Sequence, residues 1–279
     1  MRIARTIFPN HLERKYFREI KKLIDADRKS TFQAFKTEII PRIHEYRKML
    51  KPDTSVKITR NTRNFVVNDA IQRTAEILER LRNTSATLIF SSSTVRRIAS
   101  EFVFDINRHQ TANFKKQVGK VMAVDPTKNE PWLRSFTETA IEENVSYIKS
   151  IGEQYHDKIN TVVIQGLRRG ESINSMAEQI SNIGDVSLNR GKFIARDQLG
   201  SIHGDLVKTR QSRIGLDTFI WRDSGDRRVR PSHQVLDGER FSWDEGARNE
   251  RGEYIIPGSD FRCRCTAEID TDKLEDLFD

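Results

Sequence analysis

The 279-residue chain holds only two cysteines, Cys263 and Cys265. Two thiols are too few for a disulfide framework. At i and i+2 of an extended chain their Cα atoms would also stand about 7 Å apart, a poor disulfide geometry. The bland expectation is synthesis and residence in a reducing cytosol. No run of eighteen apolar residues occurs, so no membrane span is expected. The opening "MRIARTIFPNHLERKYF" lacks the continuous apolar stretch and small-residue cleavage site of a secretion signal. Also missing are a Cys-x-x-Cys pair, a nucleophile elbow, a phosphate-cradling glycine loop and a recognisable nucleic-acid-binding motif. There is no internal repeat. These gaps leave little to build a reaction around, and the chain is expected not to be an enzyme.

What is present is charge and helical periodicity. Charged residues make up 32% of the chain and hydrophobic ones 36%, which reads as solvated helix faces around a modest core. Leu12, Tyr16, Ile20, Leu23 and Ile24 recur at three- and four-residue steps, and Phe32, Phe35 and Ile39 continue the pattern until Pro41, which should end or kink the helix. "KPDTSV" then reads as a linker. A second helix is expected over about 61–82, and a third from an N-cap near Ser93 toward Gly119. After the punctuation of "DPTKNEPW", the residues Ile141, Val145, Ile148, Ile151, Tyr155, Ile159 and Val162 form a narrow seam of coiled-coil spacing on a helix over about 132–167. Such a seam packs against a helix of the same chain or of a partner subunit. Ser172 should cap a short helix, and another should begin after Ser187 and end at Gly215.

The character then changes. "DTFIWRD" and "RCRCTAEID" alternate as strands, with Gly, Pro, Asp and Arg crowded between them. The expected architecture is a mostly α N-terminal body with a small α+β C-terminal domain. Its divisions are a helical region over 1–130, a connecting helix over 131–170, the α+β domain over 171–270 and an acidic tail over 271–279.

The densest chemistry lies in "VRPSHQVLDGERFSW" and, some twenty residues on, "FRCRC". His233, Cys263 and Cys265 are ligand types that zinc accepts, with Asp226 or Asp237 as a fourth. The alternative is plain core: Cys263, Cys265, Ala267 and Ile269 also suit the inward face of a half-buried strand, with Arg262, Arg264, Thr266 and Glu268 in solvent. Arg230, His233 and Asp237 permit an enzymatic reading, a base oriented by a carboxylate beside an anion-holding arginine. They equally permit a turn that ties its own loops together, with Pro231 opening a helical turn and Gly238 supplying a positive φ. Without further reaction machinery the turn is favoured, and Trp221, Asp226, Arg230, His233, Asp237, Gly238, Cys263 and Cys265 are read as one structural motif. The stretch from Trp221 to Ile269 has so few large apolar side chains that such polar or metal clamps are expected to hold it together.

Charge is unevenly spread. From Trp221 onward there are ten basic and fifteen acidic residues, which leaves 38 basic against 25 acidic before it, a net of +13 within the overall +8. A basic body points to a polyanion such as double-stranded DNA, bound weakly and without sequence preference, or simply to a basic solvated surface.

In order, "FIARDQLGSIHGDLVKTRQSRIGL", "FIWRDSGDRRVR", "RPSHQVLDGERFSW" and "PGSDFRCRC" resemble the head-morphogenesis family of tailed bacteriophages typified by protein F of phage Mu, from about residue 160 to 270. The resemblance implies a minor capsid protein that enters the procapsid near the portal and takes part in head assembly and DNA delivery. It implies as partners the portal protein and the major capsid or scaffolding protein, and as location the interior of the phage head, after assembly in the host cytoplasm. One departure concerns metal. Many relatives carry a histidine shortly before the Cys-x-Cys, where this chain has "GSDF". A nuclease or other hydrolase carried into the host with the genome is the alternative function.

Overall fold

The computed structural model describes residues 4–50, 59–119, 121–122 and 125–277. Its elements in chain order are α1 (Asn10–Ala34), α2 (Ile40–Met49), α3 (Arg60–Thr84), α4 (Ser92–Val118), α5 (Leu133–Arg169), α6 (Ile173–Arg213), β1 (Thr218–Arg222), α7 (Pro231–Gln234), β2 (Arg240–Ser242), β3 (Ala247–Arg248), β4 (Tyr254–Ile255), β5 (Thr266–Ile269) and α8 (Thr271–Asp276). A helical body followed by a few short antiparallel strands is the architecture expected. The linker "KPDTSV" lies outside the described residues.

Several boundaries differ from the sequence reading for identifiable reasons. Pro41 does not end the first helix. A π-helical turn over Phe35–Ile39 precedes it, with Ile40 N–H donating to Phe35 O, and α2 continues directly. The wider turn accommodates a residue that cannot donate. A second π turn, Ser85–Ile89, extends α3, and α4 is capped by the Ser91 hydroxyl, which accepts from Thr94 N–H, rather than by Ser93. Ser187 starts no helix. Its hydroxyl donates back to Ile183 O inside α6, which runs unbroken from the Ser172 cap.

The chain divides into two compact units made of discontinuous segments, so the sequential division at 130, 170 and 270 does not coincide with them. One unit comprises Arg18–Arg96 and Val145–Gly191. Its core joins Phe35, Ile39, Ile43 and Tyr46 to Ala70, Ile77 and Leu78 of α3, Tyr155, Ile159, Val163 and Leu167 of α5, and Met176 and Ile180 of α6. The seam of α5 therefore packs inside this chain. At its far end Val163 is buried and Val162 only half-buried.

The other unit contains the segment up to Phe17, Arg97–Asn144 and everything from Lys192 onward. Its sheet has the order β2-β1-β5 with both pairings antiparallel, and Trp221 stands opposite Ala267. β3 and β4 form a separate ribbon. Val207 of α6 packs with Phe219, Trp221, Trp243, Ile255, Cys263 and Cys265 as one core. A second core sets Leu216, Ile269 and Leu274 against Phe114 and Val118 of α4. The segment 271–276, expected as part of an acidic tail, is thus a helix with a buried leucine.

Two glycines on one face of α6 fix how closely the loop before Cys263 can approach. A Cβ on Gly200 would lie 2.8 Å from Gly258 O and 3.0 Å from Cys263 O, and a Cβ on Gly204 would press into Pro257 O. These neighbours are backbone, which has no rotamer to yield. The Gly200–Gly204 pair is the groove in which the loop sits.

Candidate functional site

The cluster begins with a turn. Arg230 has extended backbone (φ −67, ψ 146), Pro231 follows at the first position of α7, and His233 N–H donates to Arg230 O. This aims the imidazole inward, where it meets the edge of Trp221 at 5.5 Å with the rings nearly perpendicular. His233 is only 3% exposed.

The opposite wall is the loop leading into β5. Asp260 and Cys263 are joined by a turn hydrogen bond, Cys263 N–H to Asp260 O at 2.9 Å, and Arg262 inside that turn has φ +55, a left-handed conformation unusual for arginine. Because of this turn Cys263 and Cys265 precede the strand. β5 begins at Thr266. The strand reading survives for Ala267 and Ile269, which are buried, but the expected solvated face does not: Arg264 and Thr266 are buried as well.

His233 Nδ1 lies 3.6 Å from Cys263 Sγ and 3.5 Å from Cys265 Sγ. Its Nε2 lies 3.2 Å from Asp260 Oδ2. Asp260 is held in turn by the Arg230 guanidinium, which also donates to Phe261 O, and by Phe261 N–H at 2.9 Å. Cys265 N–H points at Cys263 Sγ at 3.4 Å. Both cysteines are free thiols by connectivity. Their acidities diverge. A hydrogen bond from the Cys265 thiol, reinforced by one from His233, drives the Cys263 thiol well below its ordinary range, against the opposing effect of burial. The same bond, together with burial, pushes Cys265 up. His233 is raised, chiefly by its bond to Cys263.

The other motif residues act nearby but separately. Asp226 accepts from the buried Arg264 at 2.7 Å, which holds its carboxyl well below the usual range. Asp237 accepts from Asp223 N–H at 3.0 Å, and Gly238, at φ +86, sends its N–H to Trp221 O. Neither aspartate is among the ligand atoms gathered around His233, so neither is the fourth ligand expected from the sequence. Nor do Arg230, His233 and Asp237 form a catalytic set, because the carboxylate that joins Arg230 to His233 is Asp260. Sequence reasoning missed Asp260 and Arg264. The only local signal for Asp260 was a carboxylate three residues before a Cys-x-Cys.

Access limits what this arrangement can do. A surface cleft of about 220 Å³ is lined by Arg230, Ser232, Asn249, Arg251, Asp260 and Phe261, and neither sulfur lines it. The cluster is therefore suited to bonds within the protein.

The segment that carries the cluster is similar to a known family. Residues 157–268, about two fifths of the chain, match the family described as Phage Mu protein F like protein. An uncharacterized protein of Haemophilus influenzae is 29% identical over 234 residues, covering 80% of this chain and 50% of that protein. An uncharacterized protein of Methanocaldococcus jannaschii is 29% identical over 118 residues, covering 42% of this chain and 18% of the relative. The chain thus spans at most about half the length of these relatives. No solved structure matches. The family match encloses the turn at Arg230, the paired glycines of α6 and the whole Cys-x-Cys loop, so residues 157–268 are similar to the Phage Mu F-like family over the segment that carries the cluster.

Proposed function

We propose that the chain is a minor structural component of a tailed-bacteriophage head that acts in head morphogenesis beside the portal, and that it is not an enzyme. The observation carrying this reading is the F-like domain, whose most chemically suggestive residues are spent on one another and buried. The portal protein is the proposed partner, with the major capsid or scaffolding protein as a second contact. The +13 net charge of residues 1–220 favours weak contact with packaged or exiting DNA without sequence preference. Among the described residues no helix is long and apolar enough to cross a membrane. Quantitative mass spectrometry of gradient-purified procapsids and mature particles tests the reading. A few copies in either supports it, and absence from both overturns it. Binding to duplex DNA should weaken steeply with salt, and affinity indifferent to salt would remove DNA from the proposal.

One observation favours a hydrolase: Cys263, His233 and Asp260 line up as nucleophile, base and orienting carboxylate. Against it stands burial, since Cys263 is only 5% exposed. DNA or RNA cleavage by the purified chain that disappears in His233→Ala would establish that second reading.

A further inference from the structure

We infer that His233, Cys263 and Cys265 bind a zinc-type metal ion. All three ligand atoms lie within 4.8 Å of one another, and all three residues are buried. Two sulfurs stand at almost equal distances, 3.6 and 3.5 Å, from the same nitrogen, His233 Nδ1. An imidazole nitrogen has a single in-plane direction, for one proton or one lone pair, so it cannot make good hydrogen bonds to two sulfurs. A metal removes that conflict. With metal–sulfur bonds of about 2.3 Å and a metal–nitrogen bond of about 2.0–2.1 Å at tetrahedral angles, nitrogen and sulfur stand about 3.6 Å apart. The observed spacing is the edge length of such a shell.

The surroundings agree. The remaining nitrogen of His233 faces Asp260 Oδ2 at 3.2 Å, the carboxylate–histidine arrangement that orients a metal-binding imidazole. Arg230 and Phe261 N–H hold that carboxylate in place, and Cys265 N–H supports the Cys263 sulfur. Two thiolates and one imidazole select a borderline-soft ion, zinc before magnesium or calcium. Among the described residues no fourth His, Cys, Asp or Glu ligand atom joins these three. The site joins the α7 turn to the loop ahead of β5, so the ion ties together two segments thirty residues apart in sequence. The inference does not depend on the role in head assembly.

The test uses the full chain without a histidine tag. After growth with added zinc, elemental analysis should give about one zinc per chain. Cobalt replacement should produce thiolate-to-cobalt charge-transfer absorption. Cys263→Ser and Cys265→Ser should each abolish that absorption, whereas His233→Cys should retain a metal. Asp260→Asn should weaken zinc binding about 10- to 100-fold. A parent protein that takes up no zinc, shows no charge-transfer band with cobalt and melts identically with and without chelator overturns the inference. So does undiminished metal in a Cys263→Ser, Cys265→Ser double variant, which would mark the binding as adventitious. Should the serine variants fail to fold, the cobalt spectrum of the parent decides alone.

Discussion

Replacing Arg210 with alanine should be among the most damaging single changes in the unit that carries the F-like sheet. Arg210 lies near the end of α6, and its Nε and Nη2 donate to the two carboxylate oxygens of Glu130, both at 2.7 Å. Nη2 also reaches Asn107 Oδ1 at 2.7 Å, and Nη1 donates to Gln110 Oε1. The two charged side chains are 1% and 8% exposed. Alanine would leave the buried Glu130 carboxylate without its cation and take a donor from the Asn107 and Gln110 amide oxygens, a loss of about 3–5 kcal/mol. For a chain of this size each kcal/mol moves the melting temperature by about 2–4 °C, so the fall should be on the order of 10 °C. An internal comparison sharpens the test. Arg97 pairs with Glu101 at 2.8 Å across one turn of α4, but those side chains are 55% and 47% exposed, and Arg97→Ala should cost only about 0.3–0.5 kcal/mol. Differential scanning calorimetry of both variants reads the contrast, with the transition assigned to its unit if unfolding proceeds in two steps. An Arg210→Ala protein melting within a degree or two of Arg97→Ala would show that the buried Arg210–Glu130 pair contributes no more than an exposed one.

Two further predictions concern the same unit. His203 is fully buried, its Nε2 finds no hydrogen-bond partner among the described residues, and burial pushes its pKa down to about 3. With a depressed folded value its contribution is present above the unfolded pKa near 6.5 and is lost as pH falls toward 3, about 2 kcal/mol of it by pH 5. Denaturant titrations at pH 7 and pH 5 should show that loss in the parent and a smaller one in His203→Leu; equal losses would contradict it. Gly204→Ala should gain about 1 kcal/mol of helix propensity yet lose about 1–3 kcal/mol through overpacking against Pro257 O, with net destabilisation and displacement of the Cys-x-Cys loop. A higher melting temperature in that variant would show that the loop is free to move away.

Periodic features were the legible part of this sequence. The seam from Ile141 to Ile159 emerged from spacing alone but slipped at two places: Val145 is half-buried beside the buried Asn144, and at the end Val163 replaces Val162, because a 3.6-residue turn drifts against a 3.5-residue repeat. The strands at 218–222 and 266–269 were visible in their alternation. Local signals misled where a second interaction intervened. Pro41 was expected to end or kink the helix, which instead continues through it behind a π turn, and the helix expected to begin after Ser187 is already under way there, with the Ser187 hydroxyl bonding backward. At the candidate site, residue types were readable and partners were not. Asp226 and Asp237 were the aspartates expected near His233, and Asp260 takes that place instead through a left-handed turn at Arg262 that no spacing rule announces. Arg264 read as solvated because its neighbour Cys263 was placed on the strand. Its burial against Asp226 follows from β5 starting only at Thr266.

If the proposed role in the head holds, the polar cluster around His233 serves folding, and folding of that segment admits the chain to the head. The most direct measurement plots copies per procapsid against melting temperature for Arg230→Ala, Asp260→Asn, Arg264→Ala and His233→Ala in the full chain. Loss of a buried hydrogen-bonding partner costs about 1–3 kcal/mol, so the series should spread over several degrees. Incorporation should fall in step with stability along one curve. A variant that melts like the parent yet is missing from heads would contradict it.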